Sequence, residues 1–461
     1  GWSRPSPGLR RIVVSQPSAP VAAVSGVTHG RVWAVAGPII ISNSTVPLIG
    51  IADTAVIGHL GEAAFIAAIA LGAIIFSALY WVFGFLRMGT TGLVAQALGA
   101  RDQNEIRSAV HRAALVGVTA GVLLAVLQVP LSALVFLGFE AGPQVEQLAA
   151  EYFSIRIWGA PAMLVNFAIL GWFIGLQRAD IALYLQLYLN LANVGLDVLF
   201  VAGFGMNVDG VAFGTLIAEW TTLVIGIAVV VWYARQSTGA AFASGDRARL
   251  WNMDSMRRML SVNGDIFIRS AFLMGAFVWL TVQGAAQGDV VLAANGILLH
   301  FLYLAAYALD GFAFASEALV GESKGARDRV RFRRAAVLSS MWAVGSAVAF
   351  ALVFWMLGAW FIGLLTSVPE VRETATTYLV WAVLSPLAAV ASYQLDGIFV
   401  GATRTADMRN MMAVSFAVYI AAWWLLQPWG NHGLWAAFTL FSLVRGVTLG
   451  LRYPALERSI A

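Results

Sequence analysis

The chain contains no cysteine in 461 residues. Disulfides, thiolate metal sites and cysteine nucleophiles are therefore excluded, while the compartment is left open. Charge is scarce as well, at 11% Asp, Glu, Lys and Arg, where an average soluble domain carries about 25%. No Walker, Rossmann or catalytic-triad pattern occurs, so ATP hydrolysis and standard hydrolytic chemistry have no footing and the chain is not expected to be an enzyme. His59, His111, His300 and His432 are scattered without metal-ligand spacing. The alternating ten-residue pattern of a membrane β-barrel is missing too.

What remains is overwhelmingly apolar: 60% of residues are hydrophobic and the mean hydropathy is +0.80. A soluble fold would have too little polar surface to cover such a core, so the composition is that of a polytopic membrane protein. A span needs about 20 mainly apolar residues. Twelve such runs can be traced, at 32–57, 64–97, 106–138, 146–174, 181–203, 209–233, 256–283, 289–320, 332–365, 371–400, 408–427 and 432–452. The first 25 residues are rich in Pro, Ser and Arg, lack the apolar core of a signal peptide and read as a disordered or processed tail.

The formal charge of +4 matters less than where the charges fall. Loops after even-numbered spans carry Arg101, Arg107, Arg112, Arg178, Arg247, Arg249, Lys324, Arg327, Arg333 and Arg404, whereas the opposite loops carry Glu62, Glu140, Asp209 and Asp289 with a single Arg372. Basic residues collect on the cytoplasmic side, which predicts that both termini are cytoplasmic.

The chain also repeats itself. "GARD" occurs at Gly99–Asp102 and again 226 positions later at Gly325–Asp328. The same offset relates Val145 to Val371, Tyr152 to Tyr378, Gly171 to Gly397, Gly175 to Gly401 and Arg178 to Arg404, while Pro161 and Pro386 fall one residue off it. A register held this long points to duplication. Six spans per repeat is an even number, so the repeats are parallel, an arrangement characteristic of secondary transporters. The expected fold is an all-α integral membrane protein with twelve helices in two parallel six-helix lobes. Its expected divisions are a tail at 1–30, a first lobe at 31–234, a linker at 235–255, a second lobe at 256–455 and a tail at 456–461.

Ionisable residues inside spans are costly and mark function by default. Asp53 lies in span 1, Asn190, Asn193 and Asp197 share a helical face in span 5, and Thr215 and Glu219 lie in span 6. Oxygen donors of this kind suit a proton or Na⁺, and a metal reading would place Na⁺ at Asp53, Asn193, Asp197 and Thr215. The plainer reading is interhelical hydrogen bonding. Asp310 in span 8 and Asp396 in span 10 have no acidic counterpart in the first repeat, where Gly84 and Leu170 stand. They are candidates for binding a cationic substrate, relaying protons or pairing with a buried Arg. Asp265 and Arg269 are spaced i, i+4, near enough to neutralise each other. Arg87, Arg156 and Arg269 are expected in structural pairs or snorkelling, and Glu317 and Glu322 on a solvated or gate-lining face. Pro38 frees a carbonyl in span 1 and makes either a static kink or a hinge.

The stretches "VPLIGIADTAVIGHLG" (46–61), "NLANVGLDVLF" (190–200), "GVAFGTLIAE" (210–219), "LDGFAFASEALVGE" (309–322) and "YQLDGIFVGATRTADMRN" (393–410) together resemble the multidrug and toxic compound extrusion family, most nearly its DNA-damage-inducible F branch. The resemblance covers about residues 30–455. It implies a V-shaped pair of lobes in a bacterial inner membrane, exporting drugs or organic cations in exchange for H⁺ or Na⁺, with no cofactor beyond that ion. It places the cation site at Asp53, Asn193, Asp197 and Thr215 and the bending proline at Pro38. Amphipathic or cationic small molecules and membrane lipid are the expected partners, without nucleic acid and as a monomer. A lipid-linked precursor flippase is the alternative and would favour an arginine-lined cavity. A non-transporting receptor or enzyme has no sensor domain or catalytic constellation to support it.

Overall fold

The computed structural model describes residues 26–58, 63–136, 142–238 and 252–460. All regular structure among them is helical, as lipid demands of any segment that must satisfy its own backbone groups. In chain order the helices are α1 (His29–Gly58), α2 (Ala63–Val82), α3 (Phe85–Gly99), α4 (Gln103–Val126), α5 (Gln128–Phe136), α6 (Pro143–Arg156), α7 (Ala160–Gly175), α8 (Ala179–Val198) and α9 (Val208–Thr238). The second half continues with α10 (Met253–Ala285), α11 (Asp289–Gly325), α12 (Arg329–Leu365), α13 (Pro369–Gly401), α14 (Thr405–Leu426) and α15 (Gly430–Arg458).

Ten stretches of the described residues are long and apolar enough to cross a membrane. The last of them, Thr405–Arg458, holds both α14 and α15 around a tight turn at Gln427–Trp429, and α1 adds a helix of 30 residues. Twelve crossings result. Their outer faces are apolar, as along α12, where Trp355, Met356, Trp360 and Leu364 lie exposed.

Several first-half crossings expected to be continuous are interrupted. α2 gives way to α3 through tight i→i+3 turns at Phe83 and Gly84. α4 ends at Leu127, shortly before Pro130. α6 and α7 are separated by a 3₁₀ turn at Ile157–Gly159, with Pro161 opening α7. α8 finishes in a π turn at Leu199–Gly203. The second-half counterparts α11, α12 and α13 run unbroken for 37, 37 and 33 residues. Met356 stands at the repeat position of Pro130, so nothing there clashes with the preceding turn. α13 accommodates Pro386 within a continuous helix.

The duplication is written into the backbone. Among the described residues, four that are not glycine have positive φ, Arg101 (57°), Gln177 (59°), Arg327 (55°) and Thr403 (48°), and they form two pairs separated by 226 positions. The N-cap carboxylates Asp102 and Asp328 form another such pair and accept from the amides of Glu105 at 3.0 Å and Arg331 at 2.9 Å. A methyl on Gly99 would run into the Glu322 carbonyl, and one on Gly325 into the Gln96 carbonyl. α3 and α11 therefore cross backbone to backbone on the axis relating the repeats.

One apolar cluster is confined to the first half, around Phe76, Tyr152 and Leu164. A second, around Phe301, Phe354 and Trp435, is confined to the second half. A third joins the halves through Val35, Val94, Phe312, Leu319 and Val400.

At the end carrying the basic loops, polar bonds tie the halves together. Glu322 on α11 accepts from Arg31 at 2.8 Å and Gln177 at 2.7 Å, both from the first half, and from Arg331 at 3.1 Å. Around the axis, Gln96 donates to the Gly401 carbonyl at 2.8 Å and the Thr403 hydroxyl at 3.0 Å, and accepts from Arg258 at 2.9 Å. Glu322 is thus buried at 6% exposure in a contact between the halves, not solvated.

Candidate functional site

The face of α8 expected to be polar is polar and buried. Asn190, Asn193 and Asp197 point inward, Asp197 with no exposed surface. The Asn193 amide donates to the Asp197 carboxylate at 3.1 Å and to the Thr215 hydroxyl of α9 at 2.9 Å. Thr215 in turn donates to the Val211 carbonyl. Gly214 makes room for this arrangement, since a methyl there would occupy the position of an Asp197 carboxylate oxygen. Asn190 serves a different purpose: it donates to Thr45 of α1 at 2.7 Å while Gln186 donates to its carbonyl at 2.9 Å. The structure thus brings Asn193, Asp197 and Thr215 into one cluster and places Asn190 on the neighbouring tether to α1.

The backbone of α1 carries Asp53, but that side chain lies outside the described residues. Pro38 sits within α1, where its ring removes the bond to the Ala34 carbonyl. α1 packs against α11 beside it, with Gly311 lying on Ala36 and Ile40.

Glu219 lies one turn beyond Thr215 on α9 and is 2% exposed. Its carboxylate stands 3.9 Å from Arg156, which donates to the Tyr152 hydroxyl and lies over the ring of Phe76. Gly159, in the turn between α6 and α7, is the residue without a side chain that lets this carboxylate in. The expected structural pairing of Arg156 is what the fold displays.

The second half differs in kind. Asp396 of α13 accepts from Arg269 of α10 and, at 2.7 Å, from Arg445 of α15, both at the same oxygen. Of the readings open for Asp396, pairing with buried arginine is the one seen. Arg269 is thus in a structural pair, but not with Asp265, its i, i+4 neighbour. Asp265 instead accepts from Arg409 at 2.6 Å and Thr405 at 2.9 Å, both from α14. On a helix an i, i+4 pair is worth only about 0.2–0.5 kcal/mol, so a partner on a packed neighbouring helix easily displaces it. Asp310 makes no hydrogen bond among the described residues but lies in the field of Arg87, Arg269, Asp396 and Arg445. Glu317, expected on a solvated or gate-lining face, is 1% exposed and so not solvated. Arg87 of α3 faces it and lies over the ring of Phe314 at 3.7 Å.

Arg445 escaped the sequence reading. Its signal was a lone guanidinium in the apolar run "LFSLVRGVTLG", the feature by which the intramembrane acids were found. Repeat comparison also separates the halves: at the positions of Asn190, Asn193 and Asp197, α14 carries Phe416, Tyr419 and Trp423. These rings pack against Phe272, Phe441 and Trp279 at centroid distances of 5.5, 5.5 and 5.1 Å, the two tryptophans edge to face. The first half has a polar seat where the second has an aromatic wall.

The MatE family model matches the chain twice, over residues 38–199 and 266–425. DNA damage-inducible protein F of Escherichia coli K12 is 40% identical over 426 residues, covering 90% of either chain. A probable multidrug resistance protein NorM of Rhizobium meliloti is 27% identical, covering 89% of either chain. Among solved structures, an outward-facing multidrug resistance MATE family transporter superposes with a TM-score of 0.82 at 18% identity, over 93% of this chain and 97% of that one. The bent form of the Vibrio cholerae MATE transporter VcmN gives 0.83 at 19% identity, over 94% and 97%.

Proposed function

This chain belongs to the MatE family of membrane transporters, which are not enzymes, and from that premise we propose that it is a secondary antiporter exporting amphipathic or cationic drugs against uptake of H⁺ or Na⁺. Relatives named as multidrug resistance proteins support the export of drugs. The observation that carries the coupling is the Asp197–Asn193–Thr215 cluster: a carboxylate with no exposed surface, held between two crossings and reached by an amide and a hydroxyl. Asp53 completes the cluster in this reading, and both termini lie in the cytoplasm of a bacterial cell.

The orientation of Asn193 favours the proton. Its N–H groups face one carboxylate oxygen of Asp197 and the Thr215 hydroxyl, so donors and not an amide oxygen are turned toward the seat. A proton needs only one carboxylate oxygen. Na⁺ would require oxygen atoms on all sides, and hence the amide turned over. Loading the seat then changes how α8 meets α1 through Asn190 and Thr45, and Pro38 is where α1 yields. Coupling follows only because ion and drug prefer different conformations.

Efflux of an organic cation from proteoliposomes under separately imposed proton and Na⁺ gradients tests this. A proton gradient alone is expected to drive efflux, and Asp197→Asn is expected to reduce it to the passive leak with the protein still monodisperse. Full gradient-driven efflux by Asp197→Asn overturns the coupling site. A lipid-linked flippase is the weaker reading, because the inward arginines Arg87, Arg156, Arg269 and Arg445 all face carboxylates, leaving little for a polyphosphate.

A further inference from the structure

The end carrying the basic loops has two corners related by the 226-residue repeat. In the first, Arg31 at the start of α1 donates to Gln177 at 2.7 Å and to Glu322 at 2.8 Å, and Gln177 donates to the same carboxylate. In the second, the positions of Gln177 and Glu322 are held by Thr403 and Gln96, and the arginine is Arg258, one residue beyond the position that matches Arg31. Arg258 donates to Gln96 at 2.9 Å and to the Thr403 hydroxyl at 3.4 Å. The geometry is kept and the acid is gone. A second cation has been added. Lys324 stands where the first half has Leu98, and its ammonium donates to the carbonyl of Ala402, the residue before Thr403. The carboxylates around this corner are already committed: Asp407 to Arg404, Asp265 to Arg409, and Glu322 to Arg31 and Arg331. Asp254, one turn before Arg258 on α10, makes no ion pair among the described residues. The charged groups facing Lys324 are Arg258 and Arg404, both positive. Among the described residues, then, Arg258 and Lys324 meet no carboxylate, and only the partial negative charge at the carbonyl end of α13 offsets them.

We propose that this corner binds an anionic phospholipid, whose phosphate is held by Arg258 and Lys324 and supplies the negative charge that Glu322 supplies in the first corner. A guanidinium and an ammonium converging on one turn are complementary to a phosphate, and basic clusters at a membrane surface draw anionic lipids. The surroundings select a lipid over a free phosphate. Arg258 and its neighbour Arg257 are exposed, and from Arg257 the residues Leu260, Gly264, Ile268 and Ala271 follow one another along one face of α10. Leu260, Ile268 and Ala271 are exposed, and a methyl on Gly264 would meet nothing within 4 Å, so the face has an open notch along which an acyl chain lies. The site goes beyond drug export and proton coupling and rests on neither.

The test is native mass spectrometry of the full chain released from detergent micelles with added lipid, which counts the molecules bound. The probes are dioleoyl phosphatidylglycerol and dioleoyl phosphatidylcholine, which share acyl chains and differ in net headgroup charge. The first phosphatidylglycerol is expected to bind about tenfold more tightly than the first phosphatidylcholine. Arg258→Gln and Lys324→Gln are each expected to weaken phosphatidylglycerol about fivefold, the effect of one cation at a membrane surface, and to leave phosphatidylcholine unchanged. Arg333→Gln removes an exposed arginine of α12 at the same end and is expected to leave both lipids unchanged. Gln96→Glu gives the second corner the acid of the first and is expected to abolish the preference with both cations in place and the protein monodisperse. Inorganic phosphate at the lipid concentration is expected not to displace phosphatidylglycerol. Equal binding of the two lipids, an equal loss in Arg333→Gln and Arg258→Gln, or a preference that survives in monodisperse Gln96→Glu overturns the proposal. Displacement by inorganic phosphate also overturns it and assigns the corner to the free ion.

Discussion

The two halves share a backbone and differ in chemistry. Paired positive-φ residues, paired N-caps and reciprocal contacts at Gly99 and Gly325 show how closely the frame is kept. Inside that frame the first half buries a carboxylate with an amide and a hydroxyl, whereas the second buries two guanidiniums on one carboxylate beside aromatic rings. The same contrast recurs at the basic end, where charged Glu322 holds Arg31 and neutral Gln96 holds Arg258 around one axis. Duplication fixes helix positions cheaply, because caps and close glycine contacts are local. Buried polar groups are free to diverge so long as each local set is satisfied.

The comparison breaks most sharply at Asp396, whose repeat position holds Leu170. Asp396→Leu is expected to strand Arg269 and Arg445 in an apolar interior, at a cost of about 3–5 kcal/mol. Thermal unfolding in detergent checks this, and the triple change Arg269→Met, Asp396→Leu, Arg445→Met should recover most of the loss. An unchanged midpoint in the single variant would mean that the triad is not what holds α10, α13 and α15 together.

A smaller effect is expected at the basic end. Glu322→Gln makes that contact chemically like its counterpart at Gln96, removing charge-assisted bonds worth about 1.5–3 kcal/mol each. The chain has no cysteine, so Ser323→Cys, buried on the same turn, reports opening without background. Thiol labelling of that position is expected to accelerate about tenfold in Glu322→Gln and much less in Gln96→Leu. Equal acceleration in both would show that the charge adds nothing to the lock. The smallest effect concerns the caps: Asp102→Ala and Asp328→Ala should each cost about 1 kcal/mol. Similar losses are expected, since the two caps have the same geometry, and a clear inequality in denaturant midpoints would show that the repeats are not energetically equivalent even there.

Much of this was legible in the sequence. The twelve apolar runs, the 226-residue repeat and the polar face at Asn190, Asn193 and Asp197 are one-dimensional patterns, and helical periodicity converts such patterns directly into faces. The breaks at Gly84 and in front of Pro161 were not anticipated, although both residues were in view. Pro386 occupies the matching place in an unbroken helix, so local propensity alone does not decide whether a helix stops. Spacing along the chain offers Arg269 only the neighbour Asp265, whereas Asp396, which it meets, lies 127 residues away and 49 residues from Arg445.

The sequence by itself determined that this chain fills a membrane with helices, that it does so twice over, and which side chains lie in the apolar region against their solvation preference. Those follow from composition and period, which are properties of the chain read along its length. Which charge meets which was decided only by tertiary structure. Asp396 with Arg269 and Arg445, Asp265 with Arg409, and Glu322 with Arg31 join residues brought together by helix packing. In a low-dielectric interior, distance and desolvation set the strength of such pairs, and neither quantity is written in the order of residues.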